Sequence, residues 1–216
     1  MVAEQHPLRP FLPSGARILM LGSFPPQRKR WSMDFFYPNM QNDMWRIFGH
    51  IYFAEREYFV DKEHRRFDQP RLELFLEQLG VALYDTACAV VRLQDNASDK
   101  YLQVVEHTDV DALLRRLPLC HAVVTTGQKA TDTLREHWAV AEPKVGENVA
   151  FSFEGRPMRL WRMPSSSRAY PMKLEKKAAF YARMLQEEGL LTKNIGKTGQ
   201  NSLCVIESFY IFAPVK

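Results

Sequence analysis

The sequence predicts an α/β fold, a three-layer α/β/α sandwich around a central four-stranded, mainly parallel sheet. Two observations favour this class. Short, uninterrupted apolar runs that stop at a turn residue are typical of buried parallel strands. Between them lie longer segments whose apolar residues recur at helical spacing. Strands and helices that alternate in this way form a parallel sheet with helices on both faces.

The predicted strands are short apolar runs at four places in the chain. The first stops at Gly22 and the second ends at Asp85, while the third carries β-branched residues and stops at Gly127. The fourth is the second arm of a hairpin around the turn Glu154-Gly155. These strands are predicted at residues 18–21, 81–84, 121–126 and 158–162, with the first hairpin arm at 151–153.

Five helices are predicted from helical spacing and from their end signals. The second begins with Pro70 in its first turn and ends at Gly80. Pro118 stops the third and Gly189 stops the fifth, since neither residue continues a helix easily. The helices are predicted at residues 43–53, 70–78, 110–117, 129–138 and 173–188.

One domain is predicted over residues 1–191, followed by an extension over residues 192–216. Residues 192–200 are polar and contain glycine, as a linker does, whereas residues 202–214 are apolar and β-prone. The extension is therefore an added edge strand, a covering segment or a partner-binding tail, and all three stay open.

Composition argues against several classes of protein. No apolar run approaches the ~18–20 residues of a membrane span, and the first ten residues lack the apolar core of a signal peptide. Cys88, Cys120 and Cys204 are far apart and odd in number, which argues against a disulfide framework and against a CxxC-type metal site. We therefore expect an intracellular, cytoplasmic protein with no metal, no cofactor and no membrane partner.

The net charge is only +4, but the basic residues are clustered. Basic loops beside a pocket fit contacts with a phosphate backbone, whereas a solvated surface is the simpler interpretation of any single cluster. The clusters are Arg28-Lys29-Arg30, Arg65-Arg66, the set Arg156, Arg159, Arg162 and Arg168, and the set Lys173, Lys176 and Lys177.

The segment after the first strand predicts a pocket. A turn at the carboxyl end of a parallel strand lies at the edge where ligands of open α/β sheets bind. Three aromatic residues and three amides follow, and a flat apolar wall beside a few amides suits a nucleobase. Aromatic core residues in a loop and an amphipathic helix are the alternative. The residues are Phe35, Phe36, Tyr37, Asn39, Gln41 and Asn42.

Four segments, in this order, resemble motifs of the uracil-DNA glycosylase superfamily. The first motif is matched by Gly22-Ser23-Phe24-Pro25, then Tyr37 and Asn42-Asp43-Met44-Trp45. The second is matched by Met163-Pro164-Ser165-Ser166-Ser167-Arg168-Ala169. Two strands between them are matched by residues 80–85 and 123–127. The resemblance is closest to the hypoxanthine-DNA glycosylase and mismatch-specific glycosylase branches.

The resemblance implies roles for three pocket residues. Tyr37 stands where the superfamily stacks an aromatic ring on the flipped base, with a core aromatic as the alternative. Asn42 aligns with the asparagine that orients the attacking water, and its position also suits an N-cap of the following helix. Asp85 ends the strand that contacts the base. An ionised carboxylate only accepts hydrogen bonds, so Asp85 suits an N–H of hypoxanthine or uracil, or else it buttresses a loop.

Two residues depart from the pattern of the uracil-specific members. Phe24 stands where those members carry an aspartate, and Met163 stands where they carry a histidine. The hypoxanthine branch lacks both groups as well. The backbone N–H groups of Ser23 and Phe24 can still bind the leaving base. We therefore expect a slow enzyme or a base that leaves easily, with Ser23, Phe24 and Met163 among the base-binding residues.

The second motif implies contacts with DNA. Its three serines and arginine would hold the phosphates, since hydroxyl groups, backbone N–H groups and arginine are usual phosphate partners. Tyr170 is a candidate wedge for the gap that the flipped base leaves. The DNA-binding residues predicted here are Ser165, Ser166, Ser167, Arg168 and Tyr170.

The resemblance thus implies a monofunctional DNA glycosylase of base excision repair, a monomer that removes uracil or hypoxanthine from duplex DNA. Single-stranded DNA is an open alternative substrate, and association with the nucleoid is expected if the source is bacterial. No lysine matches the catalytic positions, so water is the expected nucleophile. Two other hypotheses stand beside this one: a superfamily member that binds DNA without catalysis, and a hydrolase or binding protein for small nucleotides.

Overall fold

The computed structural model describes residues 2–93 and 101–191, so the predicted extension 192–216 lies outside the described residues. The strands are β1 Glu4–Gln5, β2 Ile18–Gly22, β3 Val60–Asp61, β4 Arg66–Phe67, β5 Val81–Asp85, β6 Ala87–Arg92, β7 Leu102–His107, β8 Ala122–Thr126, β9 Glu147–Phe153 and β10 Arg156–Met163. The helices are α1 Met44–Phe53, α2 Gln69–Leu79, α3 Val110–Arg115, α4 Gln128–Arg135 and α5 Leu174–Glu187.

The central sheet has five strands in the order β5-β2-β8-β10-β9. The first four are parallel, and β9 pairs antiparallel with β10 across the hairpin. This confirms the predicted α/β class and the four predicted strands, to which the first hairpin arm adds a fifth at the sheet edge. Every residue of β2, β5 and β8 is buried, which explains why their sequences are continuous apolar runs.

Helices cover both faces of this sheet. The helices α1 and α2 connect β2 to β5, and the chain then crosses back over β2 through α3 to reach β8. Because crossovers between parallel strands are right-handed, this reversal puts α1 and α2 on one face and α3 and α4 on the other. The last helix, α5, packs beside α1. The reversal also makes the gap between β2 and β8 a topological switch point, where open α/β sheets bind ligands.

A second, three-stranded sheet, β1-β6-β7, was not predicted. Its strand β7 mixes buried with half-buried or exposed residues and carries no long apolar run, whereas β6 does contain one, residues 87–91, which the prediction missed. The two-residue strand β1 pairs Glu4 with Val90 and Gln5 with Ala89. Phe11 forms a further bridge with Leu83 of β5. These pairings fix the N-terminal segment against the outer edge of the central sheet.

The core is built around large aromatic side chains on the helices that flank the sheet. Tyr52 of α1 and Tyr181 of α5 are almost fully buried. Burial raises the pKa of both hydroxyl groups well above the usual range, so both stay protonated. They donate to the carbonyl groups of Leu190 and Pro164 at 3.1 and 3.0 Å. In the described part of the chain, no helix combines the length and the apolar character needed to cross a membrane.

Candidate functional site

A pocket opens at the switch point, at the carboxyl ends of β2, β5 and β8. Its walls are the turn after β2, the segment before α1, the ends of β5 and β8, and the loop after β10. Most of the predicted site residues line this pocket, although they come from four distant parts of the sequence. They are Ser23, Phe24, Tyr37, Asn42, Asp85, Ser165, Ser166 and Ser167.

Tyr37 forms one wall and is held in an uncommon backbone conformation. Its φ angle is 50°, a value that bulky residues adopt only where their surroundings hold them. The hydroxyl group lies 2.9 Å from Oγ1 of Thr126, and the ring meets Trp45 edge-on at 5.7 Å between centroids. These contacts fix a flat, half-buried ring at the pocket, the placement that the predicted stacking role requires.

Asn42 lines the pocket and lies just before helix α1, whose N-cap is Asp43 and not, as the alternative prediction had it, Asn42. Its Oδ1 accepts a hydrogen bond from the backbone N–H of Met44, the first residue of the helix, at 2.9 Å. Its backbone pairs with Ser167 in an isolated antiparallel bridge, which joins the first motif to the loop after β10. An amide oxygen has a second lone pair and the amide nitrogen carries two hydrogens, so this one hydrogen bond leaves the side chain able to hold a water.

Asp85 and Gly22 are neighbours at the ends of β5 and β2. They are paired in the parallel register, and Asp85 is only 6% exposed. A Cβ atom on residue 22 would collide with Oδ1 of Asp85 and lie 3.4 Å from the Tyr37 hydroxyl. Glycine is therefore required at this position, because the carboxylate and the tyrosine hydroxyl both approach its backbone.

His6 belongs to the site, although no role was predicted for it. Its Nε2 lies 2.9 Å from Oδ2 of Asp85, a partner 79 residues away in the sequence. The side chain is 2% exposed, and its ring packs against Phe24, Phe36 and Tyr84. Burial raises the pKa of the Tyr84 hydroxyl well above its usual range, so this neighbour is neutral. The local sequence around His6 carries no signal of this contact, because strand pairing at the N-terminus creates it.

Phe24 and Met163, the two departures from the uracil-specific pattern, differ in placement. Phe24 lines the pocket and packs on Ala87, Val90 and Leu102 under the second sheet. Met163 has no exposed surface and belongs to the main core, so the structure does not bring this predicted base-binding residue to the pocket wall.

A buried lysine holds the loop after β10 in place. This serine loop comprises residues 165–167. Nζ of Lys177 donates to the Ser167 carbonyl at 2.7 Å and lies 3.2 Å from Oδ2 of Asp43. Arg168 donates from Nε to Oδ1 of the same carboxylate at 2.8 Å. Lys177 is fully buried on α5 and so cannot contact DNA phosphates, whereas Arg168 stays half-exposed. Arg168 and Tyr170 lie outside the pocket wall.

The pocket offers three kinds of contact to a ligand. Tyr37 offers an aromatic stacking surface, the buried carboxylate of Asp85 offers a hydrogen-bond acceptor, and Asn42 offers an amide whose Oδ1 is held by the Met44 N–H. In residues 2–93 and 101–191, no group of three or more His, Cys, Asp and Glu side chains is arranged to hold a metal ion. A flat heterocycle with an N–H group matches the described walls.

Comparison with solved structures finds a related fold. The solution NMR structure of a putative uracil DNA glycosylase from Methanosarcina acetivorans superimposes with a TM-score of 0.56. The match covers 86% of this chain and 99% of that chain at 20% sequence identity. No family model matches the sequence, and no curated protein matches it either. The chain therefore shares the fold of this protein.

Proposed function

We propose that this protein is a monofunctional DNA glycosylase, which hydrolyses the N-glycosidic bond of a deaminated base, uracil or hypoxanthine, in base excision repair. One observation carries the proposal. Tyr37 and Asn42, from the segment before α1, and Asp85, from the end of β5, line a single pocket at the switch point. The fold shared with the archaeal protein supports the same class of activity.

The base is bound outside the DNA helix. A base inside a duplex cannot reach a pocket in the protein, so the target nucleotide swings out. The flipped base stacks on the ring of Tyr37, which Thr126 and Trp45 hold in place. Its ring N–H donates to Asp85, because an ionised carboxylate accepts and cannot donate.

Asn42 positions the water that attacks C1′ of the sugar. An amide is too weak a base to remove a proton, so its contribution is orientation while the glycosidic bond lengthens. Its location at the N-terminus of α1 fixes the side chain, since Oδ1 accepts from Met44. Backbone N–H groups of Ser23 and Phe24, in the turn after β2, stabilise the departing base in the manner of an oxyanion hole.

The serine loop and Arg168 hold the DNA beside the pocket. Ser165, Ser166 and Ser167 line the pocket mouth, and the next residue, Arg168, is half-exposed. Hydroxyl groups, backbone N–H groups and arginine are the usual partners of phosphate oxygens. Tyr170 follows on the same loop and is the proposed wedge.

A second candidate is a protein that binds damaged DNA without cutting the glycosidic bond. Phe24 favours it, because an aromatic ring occupies the position where uracil-specific enzymes carry an aspartate, and a phenyl ring cannot accept a proton from water. The hydrolase and the binding protein share the pocket and differ only in turnover.

Excision from labelled duplexes tests the proposal. The full chain is incubated with duplexes that contain uracil, hypoxanthine or neither, and alkali then cleaves the strand at abasic sites. We expect cleavage at the damaged base only, with a loss of about a hundredfold in Asn42→Ala, because the water is no longer oriented. Retarded DNA without cleavage supports the binding protein. Absence of DNA binding at low salt, with hydrolysis of free nucleotides, contradicts both and supports a small-nucleotide hydrolase.

The matched control separates catalysis from stabilisation of a helix start. Asp109 caps helix α3 by accepting from the N–H of Ala112 at 2.9 Å and does not line the pocket. Asp109→Ala and Asn42→Ala each remove a side-chain acceptor for a backbone N–H at the start of a helix, at a cost of about 1 kcal/mol in the free energy of unfolding. Only Asn42→Ala should abolish excision. Equal losses of excision in the two variants would assign the Asn42 effect to stability.

A further inference from the structure

We infer that His6 is a positioning residue for base recognition, which fixes the Asp85 carboxylate so that one oxygen is held by the imidazole and the other accepts the N–H of the base. This inference rests on the proposed function and assigns the N-terminal segment a part in substrate selection. The inference is based on the 2.9 Å contact between Nε2 of His6 and Oδ2 of Asp85, a residue that lines the pocket.

The partner of Nε2 decides which ring nitrogen carries a hydrogen. Nδ1 of His6 lies 3.2 Å from the backbone N of Leu8 and 3.0 Å from the Leu8 carbonyl oxygen, so these contacts fit Nδ1 either as an acceptor or as a donor. Nε2 faces Oδ2 of Asp85 at 2.9 Å, and an ionised carboxylate only accepts hydrogen bonds. A lone pair on Nε2 would be repelled by that oxygen, so Nε2 carries a hydrogen and donates it to Asp85.

This donor defines which carboxylate oxygen can meet a base. Oδ2 is held by His6, and Oδ1 lies against the backbone of Gly22, which lines the pocket. The two oxygens are thus distinguished by the fold. A carboxylate that rotated about its Cβ–Cγ bond would leave the buried Nε2–H without its acceptor, which carries a desolvation penalty.

The surroundings keep His6 in this position. Its backbone N–H donates to the carbonyl of Cys88 at 2.7 Å, continuing the pairing of β1 with β6. Next to it, Glu4 accepts from Nε of Arg92 at 2.7 Å, and Arg92 itself lines the pocket. The ring packs between Phe24 and Tyr84, with centroid distances of 5.3 and 4.6 Å. The strand pairing and the ion pair thus hold the segment that carries His6, and the aromatic packing holds its ring.

A single fixed acceptor selects bases by one chemical feature. Deamination turns adenine into hypoxanthine and cytosine into uracil, and in each case a ring nitrogen that accepts becomes an N–H that donates. Adenine and cytosine, the parents of these two bases, would bring a lone pair toward the Asp85 oxygen, which is repulsive. Guanine and thymine carry a ring N–H of their own, so this acceptor distinguishes each deaminated base from its parent and does not by itself reject those two. Held by His6, Asp85 therefore recognises the N–H that both deaminated bases share, whatever the size of the ring.

The test compares a base that has this N–H with one that lacks it. Single-turnover excision is measured on duplexes that carry hypoxanthine or unsubstituted purine, which has no N1–H. The wild type should prefer hypoxanthine. In His6→Ala the rate on hypoxanthine should fall about tenfold to a hundredfold, the range for a lost hydrogen bond to a charged group, and the preference over purine should shrink with it. His6→Gln, whose amide can donate, should recover part of the hypoxanthine rate and part of the preference over purine.

The matched control is His64→Ala. His64 is also paired with an aspartate, Nδ1 to Oδ2 of Asp61 at 2.8 Å, but it is 59% exposed and remote from the pocket. The His64→Ala variant should keep the wild-type excision rates and the wild-type preference for hypoxanthine over purine. A loss of folded protein in His6→Ala would lower both rates equally and leave the preference unchanged, so the ratio separates positioning from stability.

A double-mutant cycle gives the decisive comparison. In the Asp85→Asn background, His6→Ala should change the hypoxanthine rate by less than about twofold, because the carboxylate it positions is already absent. Independent, multiplicative effects of the two substitutions, or an unchanged preference in His6→Ala, would overturn the role of His6 while leaving the glycosylase intact. A wild type that excises no base would overturn the proposed function itself, and the inference with it.

Discussion

At the scale of single residues, the pocket depends on side chains that serve the backbone and the ligand together. Asn42 accepts the N–H of Met44 at the start of helix α1 while it lines the pocket. Tyr37 is held at a positive φ angle by the contact of its hydroxyl with Thr126. Such residues are poorly replaceable, because a substitution that spares one of the two roles seldom spares the other. Gly22 is the clearest case, since its role is to have no side chain.

Gly22→Ala should remove activity by displacing Asp85. The added Cβ would collide with Oδ1 of the carboxylate, so the base acceptor must move. We expect excision to fall at least tenfold and the free energy of unfolding to drop by about 1–3 kcal/mol, as for other overpacked sites. Single-turnover excision and urea unfolding measure the two effects.

The control for this variant is Gly15→Ala. Gly15 is exposed, and a Cβ there would meet no atom within 4 Å. It should retain wild-type excision and stability. If Gly22→Ala behaved in the same way, Asp85 would be mobile, and its role as a fixed acceptor would be contradicted.

At the scale of elements, sequence periodicity predicted the buried architecture and missed the partly exposed one. The strands β2, β5 and β8 lie within a residue of their predicted bounds, because strands buried on both faces are continuous apolar runs. The strand β7 mixes buried with exposed residues and β1 has only two residues, so neither carries such a pattern, whereas the apolar run of β6 was missed although it is present in the sequence.

The residues of the site, like the strands, were predicted in part and missed in part. Residues inside matched motifs, such as Tyr37, Asn42 and Asp85, were predicted to share a pocket, and they do line one. His6 was missed because it reaches the pocket only through the pairing of β1. Lys177 was grouped with surface lysines, since charge alone does not tell a solvated side chain from a buried one with three oxygen partners.

Lys177→Met should destabilise the junction between helix α5 and the serine loop. The fully buried ammonium contacts Asp43 and the Ser167 carbonyl, and its loss leaves Asp43 with Arg168 as its ion-pair partner. Breaking a buried pair costs about 3–5 kcal/mol, and we expect that loss in urea unfolding. Lys176→Met is the control, because Lys176 is exposed on the same helix. Equal stabilities of the two variants would contradict a structural role for Lys177.

At the scale of the whole molecule, basic residues adjoin the pocket-lining segments in the chain although the net charge is only +4. The turn Arg28–Arg30 comes shortly after two prolines of the pocket wall, and Arg168 directly follows the serine loop. Positive groups next to a base pocket fit phosphate contacts, which strengthen binding to any sequence and weaken as salt rises.

Arg168→Ala should weaken DNA binding in a way that salt reveals. Removing one phosphate contact lowers affinity for damaged and undamaged duplexes alike and reduces the slope of log affinity against log salt by about one.

The control is Arg183→Ala. The side chains of Arg168 and Arg183 are 51% and 50% exposed and both are ion-paired, but Arg183 pairs with Glu147 and Glu187, away from the pocket. Titrations at several salt concentrations should leave the slope of the Arg183→Ala variant at the wild-type value. A slope that falls equally in both variants would mean that phosphates contact the protein without regard to the pocket, and a slope that falls in neither would remove Arg168 from the DNA-binding surface.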